Sequence, residues 1–308
     1  MTIKNRQNKP ENIKKLQAQR QMYSDVKFWM VFIFVFGVIS PIAMSFITFF
    51  LNNDFFSKKY SFNKIDIGYI SAAIAVFSAV YIEFHSVFLK RMKEHAAKIQ
   101  EEFDTDVFKL PWDNINVGSK IDRGEVFNKS KKFIKKNPNY NGFYDWYTSK
   151  AASFRYPDSI AFCQQQNLCW DSSLRLNIVF LSKIILFVIV LIMLTLGLLN
   201  DFTLRSFLVN VIFPLLPICL YFYKVITEHN ETIEEMDRLK VINETLINSM
   251  LEDNEKNDVF TQCRQLQTAI YNHRKSARPI PNWLHKRRKA DQEEESADRM
   301  QQYLDDNS

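Results

Sequence analysis

The chain has 308 residues, 40 of them Lys or Arg and 34 Asp or Glu, with a net charge of +6 and a 47% hydrophobic content. These averages conceal a segregated pattern, because the apolar residues are concentrated in four blocks and nearly all cations lie outside those blocks. Such segregation excludes an ordinary soluble globular protein and predicts an integral membrane protein.

The four apolar blocks are long enough to be transmembrane helices. Residues 28–51 carry no charge over 24 positions, and at about 1.5 Å per residue they cross a hydrocarbon core of about 30 Å. Residues 67–89 are apolar until the last two turns, and residues 176–199 are apolar apart from Lys183. Residues 206–223 contain two prolines, which a membrane helix tolerates when neighbours satisfy the freed carbonyls. The pattern predicts an all-α membrane protein with four transmembrane helices in two hairpins.

Charge predicts the topology. The Lys and Arg residues number 35 in the three long segments outside the spans, but three in the connection 52–66 and one in the connection 200–205. The positive-inside rule therefore places both termini and the middle region in the cytosol. The predicted organisation is a basic cytosolic arm (1–27), a first transmembrane hairpin (28–89), a cytosolic middle region (90–175), a second transmembrane hairpin (176–223) and a cytosolic C-terminal helical region (224–308).

The cytosolic region is predicted to be mainly helical. Residues 90–101 and 225–251 continue from the second and fourth spans without Gly or Pro, which favours helical stalks. The second stalk has an apolar seam at spacings of three and four: Ile233, Met236, Leu239, Ile242, Leu246 and Met250. Glycines and prolines between residues 111 and 142 divide the chain into short pieces, compatible with a compact mixed element that includes one short strand pair.

The membrane segments contain two further patterns. Small residues recur on one face of the second span, at Gly68, Ala72, Ala75 and Ala79, and such a face packs closely either inside a four-helix bundle or against another subunit. Glu83 is a candidate for gating or ion binding, as are His85 and the polar residues of the spans, although side chains near a helix end also reach the interface by snorkelling. These polar residues, the basis for a small ion channel or transporter as an alternative function, are Ser40, Ser45, Thr48, Ser71, Ser78 and Asn210.

Enzyme and metal signatures are missing from the sequence. Six glycines form no phosphate-binding loop, and no H-E-x-x-H or G-x-S-x-G motif occurs. The four cysteines show no C-x-x-C pair and are interpreted as reduced thiols, so neither a metal nor a cofactor is predicted. A membrane-anchored enzyme would need acids such as Asp104, Asp106 and Asp113, which are expected to cap helices or lie on a solvated face. The basic run 285–289 suits anionic lipid or is an ordinary solvated stretch.

A helix predicted from residue 259 to residue 274 is the candidate ligand-binding element. One face is an apolar stripe of Val259, Cys263, Leu266 and Ile270. The opposite face combines guanidiniums about 15 Å apart with an amide and an aromatic ring, in Arg264, Gln267, Tyr271 and Arg274. Arginines bind phosphate in a bidentate manner, and an aromatic or amide between them stacks on or recognises a base. A solvated face of an amphipathic helix has the same pattern.

Five strings, in this order around four spans, give the chain a family resemblance. They are QAQRQMYSDVK (17–27), FDTDVFKLPW (103–112), YDWY (144–147), CQQQNLCWDSSLR (163–175) and RQLQTAIYNHR with the following PIPNW (264–283). Together they resemble the SMODS-associated four-transmembrane effector family over nearly the whole chain. The chain departs from the family pattern at Thr148 and Gln165, so no role is transferred to those two positions.

The resemblance implies a membrane effector of bacterial anti-phage defence. Such an effector works with a cGAS/DncV-like nucleotidyltransferase, binds the cyclic oligonucleotide that this enzyme makes, and disrupts the inner membrane as a homo-oligomer or pore without being an enzyme. The strings add Trp146, Tyr147, Trp170, Arg175 and Trp283 to the candidate site. We therefore expect a cytosolic pocket formed by the 103–175 segment and the C-terminal helix, with Arg264 and Arg274 on phosphates and Trp146 or Trp170 stacking on a base.

Overall fold

Helices form every regular element that the computed structural model describes, within residues 2–169, 172–199, 203–251, 258–280, 298 and 300–303. Their bounds are α1 Ile3–Gln7, α2 Pro10–Phe34, α3 Ser40–Asn52, α4 Asp54–Tyr60, α5 Gly68–Phe108, α6 Arg123–Lys136, α7 Asp158–Cys169, α8 Ser172–Leu198, α9 Leu204–Phe207, α10 Phe213–Leu251 and α11 Val259–Ser276. The predicted all-α class is confirmed. The strand pair considered between residues 111 and 142 is wrong, because this region contains α6 and hydrogen-bonded turns.

The chain packs into two compact units. One, the membrane unit, comprises residues 28–89 and 176–230. The other, the polar unit, comprises residues 1–27, 90–175 and 231–308. Helices α2, α5, α8 and α10 each contribute residues to both units. Each of the four apolar segments is therefore covalently continuous with the polar unit through a helix.

The predicted spans are confirmed by four helical stretches that are long and apolar enough to cross a membrane: Pro10–Asn52, Gly68–Phe108, Leu174–Leu198 and Leu204–Met250. Large apolar side chains of the membrane unit point outward, with Phe84 75% exposed, Phe180 67% and Phe187 69%. In water such exposure would be unfavourable, but it is the expected arrangement for helices surrounded by lipid.

Besides Pro217, which lies inside α10, two prolines interrupt the helical hydrogen bonds inside the membrane unit. Each follows a π-helical segment, Val35–Ile39 before Pro41 and Leu208–Ile212 before Pro214. A proline has no N–H, so a carbonyl four or five residues earlier loses its donor. Ser78 donates its hydroxyl to the Phe36 carbonyl at 2.8 Å, and Ser45 donates to the Asn210 carbonyl at 3.4 Å. Hydroxyls from other helices thus satisfy carbonyls that the prolines leave free, as a dry bilayer requires.

The small-residue face of α5 lies inside the membrane unit. Ala75 is 1% exposed, and a Cβ added at Gly68 would lie 2.5 Å from Asn210 Oδ1. The same interior buries the polar side chains Ser45, Thr48, Ser71, Ser78 and Asn210. Of the two packing roles considered for this face, close approach of helices within one chain is the one the structure displays.

The two ionisable candidates near the end of the second span have partners in the same unit. Lys224 Nζ lies 2.6 Å from a carboxylate oxygen of Glu83. The His85 ring has its Nδ1 3.1 Å from the Tyr81 carbonyl and its centroid 3.9 Å from the Tyr81 ring. Glu83 is therefore charge-compensated by another helix, which lowers the cost of its position.

The polar unit has an apolar core into which α11 and the second half of α10 pack. The seam predicted along α10 is correct at Met236, Leu239 and Leu246, all buried, but wrong at Ile242, which is 44% exposed. Asn243 is buried in its place and donates to the Ala161 carbonyl at 3.0 Å. Successive steps of three residues drift around a helix of 3.6 residues per turn, so the buried face moves on to position 243.

Candidate functional site

Two carboxylates of α5 form the centre of the candidate site. Glu101 and Asp104 lie one turn apart, and both carboxylate side chains are 0% exposed. The apolar residues Phe103 and Val107, close by on the same helix, are also buried. Buried carboxylates are costly unless several donors compensate them. The donors come from segments far away in the sequence.

Helix α11 supplies three of those donors. Arg264 donates one guanidinium N–H to Glu101 at 2.7 Å and another to the Pro111 carbonyl at 3.0 Å. Gln267 donates to Glu101 at 2.8 Å and to Asp104 at 3.1 Å. Arg274 donates to Asp104 at 2.5 Å. The helix face that the spacing predicted is therefore turned toward the two acids, with both arginine side chains only 11–13% exposed.

Tyr147 completes the network from the 103–175 segment. Its hydroxyl donates to Asp104 at 2.5 Å and accepts from Asn167 at 2.9 Å. Its backbone is held by the Gln7 side chain, which accepts from the Tyr147 N–H at 2.7 Å and donates to the Tyr147 carbonyl at 3.1 Å. We call the group Tyr147, Arg264, Gln267, Arg274, Glu101 and Asp104 the carboxylate network.

Burial and mutual charge shift the pKa values in this network. Burial raises the pKa of Glu101, and the Arg264 guanidinium opposes the rise. Burial alone would lower the pKa of Arg274, but the Asp104 carboxylate raises it overall. Burial and the same carboxylate raise the pKa of Tyr147. The Tyr147 hydroxyl therefore remains a donor and Arg274 a cation at any physiological pH.

Three more of the predicted site residues, Tyr271, Trp146 and Arg175, are described by the structure and have other neighbours. Tyr271 is fully buried in a cluster with Ala97 and Val117, and its hydroxyl has no partner among the described residues. Trp146 packs against the main core, edge-on to Phe103. Arg175 donates to the Arg278 carbonyl at 2.9 Å. Trp170 and Trp283 lie outside the described residues.

Sequence reasoning missed the two acids that organise this site. The expectation that Asp104 caps a helix or is solvated is wrong, because it is fully buried. A signal was present, since Glu101 and Asp104 alternate with the apolar residues Ile99, Phe103 and Val107 on one stretch of α5. Acids that share a helix face with core residues need buried cationic partners, and the facing arginines of α11 were already identified.

A separate cavity of about 360 Å³ opens in the polar unit. Its lining includes two cations and two aromatic rings, contributed by Arg6, Lys109, Phe154 and Tyr156. Thr2, Ile3 and Ser159 complete the lining. Its volume lies in the range of small-molecule sites, and a few polar groups among aromatic ones are typical of such sites. These residues come from three distant segments and share no spacing pattern in the sequence.

Residues adjacent in the sequence connect this cavity with the carboxylate network. Arg6 donates through its Nε to the Val107 carbonyl at 2.5 Å, one turn beyond Asp104. Its neighbour Gln7 forms the two hydrogen bonds to the Tyr147 backbone. Tyr156 donates its hydroxyl to the Phe108 carbonyl at 3.2 Å. The same short stretch of α5 thus contacts the cavity lining and supplies an acid of the network.

Among the described residues, no group of three or more His, Cys, Asp or Glu side chains is disposed to hold a metal ion. The buried thiols of Cys163 and Cys263 are free, and burial raises the pKa of Cys263 to about 12. The chemistry that the site offers is hydrogen bonding by cations and stacking by aromatic rings.

These features define a multi-pass membrane protein. Its polar unit is packed separately and contains a cavity of a size that suits a small ligand. The family model of the SMODS-associating 4TM effector domain matches residues 1–303, and the chain belongs to this family. The chain is similar to a Bacillus cereus (strain VD146) protein named "Probable CBASS effector molecule", with 23% identity over 288 residues that cover 91% of this chain and 90% of the relative. No solved structure matches the chain.

Proposed function

We propose that this protein is a membrane effector of an anti-phage defence system, which senses a cyclic oligonucleotide through its polar unit and disrupts the bacterial inner membrane through its membrane unit. The observation that carries the proposal is the family match over residues 1–303, together with the relative's name as a probable CBASS effector. A cGAS/DncV-like nucleotidyltransferase supplies the messenger, the effector assembles as a homo-oligomer, and no catalytic step is involved. Both termini lie in the cytosol, where the messenger is made.

The carboxylate network supports a sensing role because its arginines can pair with two kinds of anion, the buried carboxylates or the phosphates of a messenger. Arg264 and Arg274 are held by Glu101 and Asp104 at 2.5–2.7 Å. A phosphate that bound these guanidiniums directly would have to replace buried carboxylates, and an unpaired buried charge costs about 3–5 kcal/mol. Direct phosphate contacts from Arg264 and Arg274 therefore stay a prediction. We propose that the carboxylate network stabilises the resting conformation of the polar unit, and that the messenger changes this conformation when it binds.

The membrane unit supports a role in permeabilisation. Its interior combines small side chains with hydroxyls that bond to backbone carbonyls, and it contains two π-helical segments. Such irregular segments in membrane helices are typical of places where helices change their packing. The same buried hydroxyls are what the alternative function, a small ion channel or transporter, would require.

The test is messenger-dependent leakage of liposomes that contain the purified protein. Cyclic di- and trinucleotides are added to vesicles loaded with a small fluorescent dye and with dye-labelled dextran. Leakage that depends on a cyclic nucleotide supports the effector, whereas ion flux without any nucleotide and without dye release supports the channel. If the protein is folded and correctly inserted but the vesicles show neither dye leakage nor ion flux, both functions are contradicted.

Orientation has its own test. A single cysteine at exposed Lys131, in a background without the native cysteines, is treated in intact cells with a membrane-impermeant maleimide. We expect labelling only after the cells are opened. Labelling in intact cells would place residues 90–175 on the outer side and contradict cytosolic sensing.

A further inference from the structure

We infer that the cavity lined by Arg6, Lys109, Phe154 and Tyr156 is the nucleotide-binding site, holding a phosphate between its two cations and a base against its aromatic rings. The inference rests on the proposed function and assigns the first contact of the messenger to this cavity rather than to the carboxylate network. At about 360 Å³ the cavity is at the small end of ligand sites. It accommodates one nucleotide unit, with the remainder of a cyclic oligonucleotide in solvent.

Charge favours an anion here. Arg6 is 6% exposed, and its guanidinium is oriented by the bond from Nε to the Val107 carbonyl. Lys109 is exposed at the opening. A buried, oriented guanidinium and a mobile ammonium are the two kinds of phosphate donor that proteins commonly combine. Asp158, in the first turn of α7, is the acid next to the lining residue Ser159, and it interacts with the Arg155 cation.

The backbone at Lys109 gives independent support. Lys109 follows the last residue of α5 with a φ of 57°, in the left-handed conformation that closes a helix. The next N–H, from Leu110, bonds to the Thr105 carbonyl at 3.1 Å, as in a Schellman cap. Glycine is the favoured residue in that position, and a side chain there costs about 1–2 kcal/mol. The chain thus has a strained lysine where an unstrained glycine would fold better, and strain of this kind concentrates at functional sites.

The aromatic rings are placed to stack on a base. Phe154 is fixed by stacking on Phe162, with ring centroids 3.7 Å apart. Tyr156 is 44% exposed, while its hydroxyl is bonded to the Phe108 carbonyl. A ring that is held at its polar end and is 44% exposed offers a stacking surface with little entropy left to lose.

A ligand in this cavity would act on the carboxylate network through α1 and Tyr147. Arg6 and Gln7 are consecutive residues of α1, so a phosphate on Arg6 pulls on the segment whose Gln7 holds Tyr147. Tyr147 donates to Asp104, and Asp104 also binds Arg274. Arg274 therefore lies at the end of a chain of three hydrogen-bonded contacts that begins at Gln7, the neighbour of the cavity residue Arg6.

The experiment measures binding of cyclic di-adenylate, cyclic GMP–AMP, cyclic tri-adenylate, AMP and pyrophosphate to the detergent-solubilised full chain by calorimetry. Lys109→Asn removes the charge with a residue that tolerates the left-handed backbone, and we expect affinity to fall about tenfold, as for one lost charge-assisted contact. Tyr156→Leu removes the stacking surface and should cost about tenfold as well, whereas Tyr156→Phe keeps the ring, loses only the hydroxyl bond that orients it, and should lose less affinity than Tyr156→Leu. Lys135→Asn, on the exposed end of α6, is the charge-matched control.

The outcomes separate the site from the function. If wild type binds a cyclic nucleotide and the Lys109→Asn and Tyr156→Leu proteins, with unchanged melting temperatures, bind it equally well, the cavity assignment is overturned while the sensor stands. If only AMP or pyrophosphate binds, and binding depends on Lys109, the cavity stands as a nucleotide-phosphate site while the proposed messenger fails. If no phosphate compound binds, both are overturned.

Discussion

The two units solve the problem of polar side chains in opposite ways. The membrane unit exposes its large apolar residues and buries hydroxyls such as Ser45 and Ser78, each bonded to a backbone carbonyl. The polar unit buries its apolar residues and, among them, full charges such as Asp104 and Glu101. A hydroxyl is a sufficient hydrogen-bond donor for a buried backbone carbonyl that has lost its N–H partner, because the carbonyl is neutral. A buried carboxylate carries a charge and needs a cation. The polar unit is therefore the one in which replacing a single side chain leaves an unbalanced charge.

The largest expected effect follows from that unbalanced charge. Arg274→Met leaves Asp104 buried with only neutral donors, and we expect the free energy of unfolding of the polar unit to fall by about 3–5 kcal/mol. Chemical denaturation in detergent, followed by protease sensitivity at sites in the polar unit, measures the loss. The double variant Asp104→Leu/Arg274→Met removes both charges and should recover much of the stability. A double variant no more stable than the single one would mean that the pair is not the reason for the loss.

The next prediction concerns the packing of the membrane unit. There the expected loss of stability comes from a steric clash and not from an unbalanced charge. A Cβ at Gly68 would meet Asn210 Oδ1 at 2.5 Å and Val209 at 3.1 Å, so Gly68→Leu should destabilise the folded protein by about 1–3 kcal/mol. Thermal unfolding in detergent and size-exclusion chromatography measure it. Tyr69→Leu, at a neighbouring position that is 62% exposed, is the control. Equal melting temperatures for both variants would contradict the close approach at Gly68.

A smaller effect concerns an acid of the polar unit that is paired near the surface. Asp25 accepts from Lys129 at 2.8 Å and Lys132 at 2.9 Å. Burial alone would raise the pKa of Asp25, but these hydrogen bonds lower it overall from the ordinary value of 3.8. Its stabilisation is therefore present above that value and lost as pH falls through the folded pKa. Asp25→Asn should cost about 1 kcal/mol at pH 7 and progressively less in acid. A cost independent of pH would exclude the charge as its cause.

The smallest expected effect is a gain. Lys109→Gly removes about 1–2 kcal/mol of strain from the left-handed backbone conformation. Glycine also loses more backbone entropy on folding, which costs about 0.5–1 kcal/mol. The free energy of unfolding should therefore rise by about 0.5 kcal/mol. Chemical denaturation compares it with wild type and with Lys109→Asn. Lower stability of the glycine variant would show that the lysine side chain itself stabilises the fold.

The membrane architecture was predictable because its determinants are local. A run of 24 uncharged residues has few outcomes other than a span, and α5 and α10 continue beyond the bilayer segments because neither continuation contains a glycine or an inserted proline. Spacing also predicted that Arg264, Gln267 and Arg274 share a face, which they do in the carboxylate network. The exception is Ile242, where the seam was extended in steps of three, although a helix needs steps of three and four to keep one face buried.

Sequence by itself determined the four spans, the helical class and the composition of the α11 face, since each depends on the order of residues within one segment. Tertiary structure alone decided what that face contacts. Arg264 meets Glu101 across 163 positions of the chain, and the Gln7 side chain holds Tyr147 across 140. The cavity likewise joins Arg6, Lys109 and Tyr156 from three segments. Periodicity within a helix fixes which side chains point the same way, but the partner is chosen by packing and by the high cost of an unpaired buried charge.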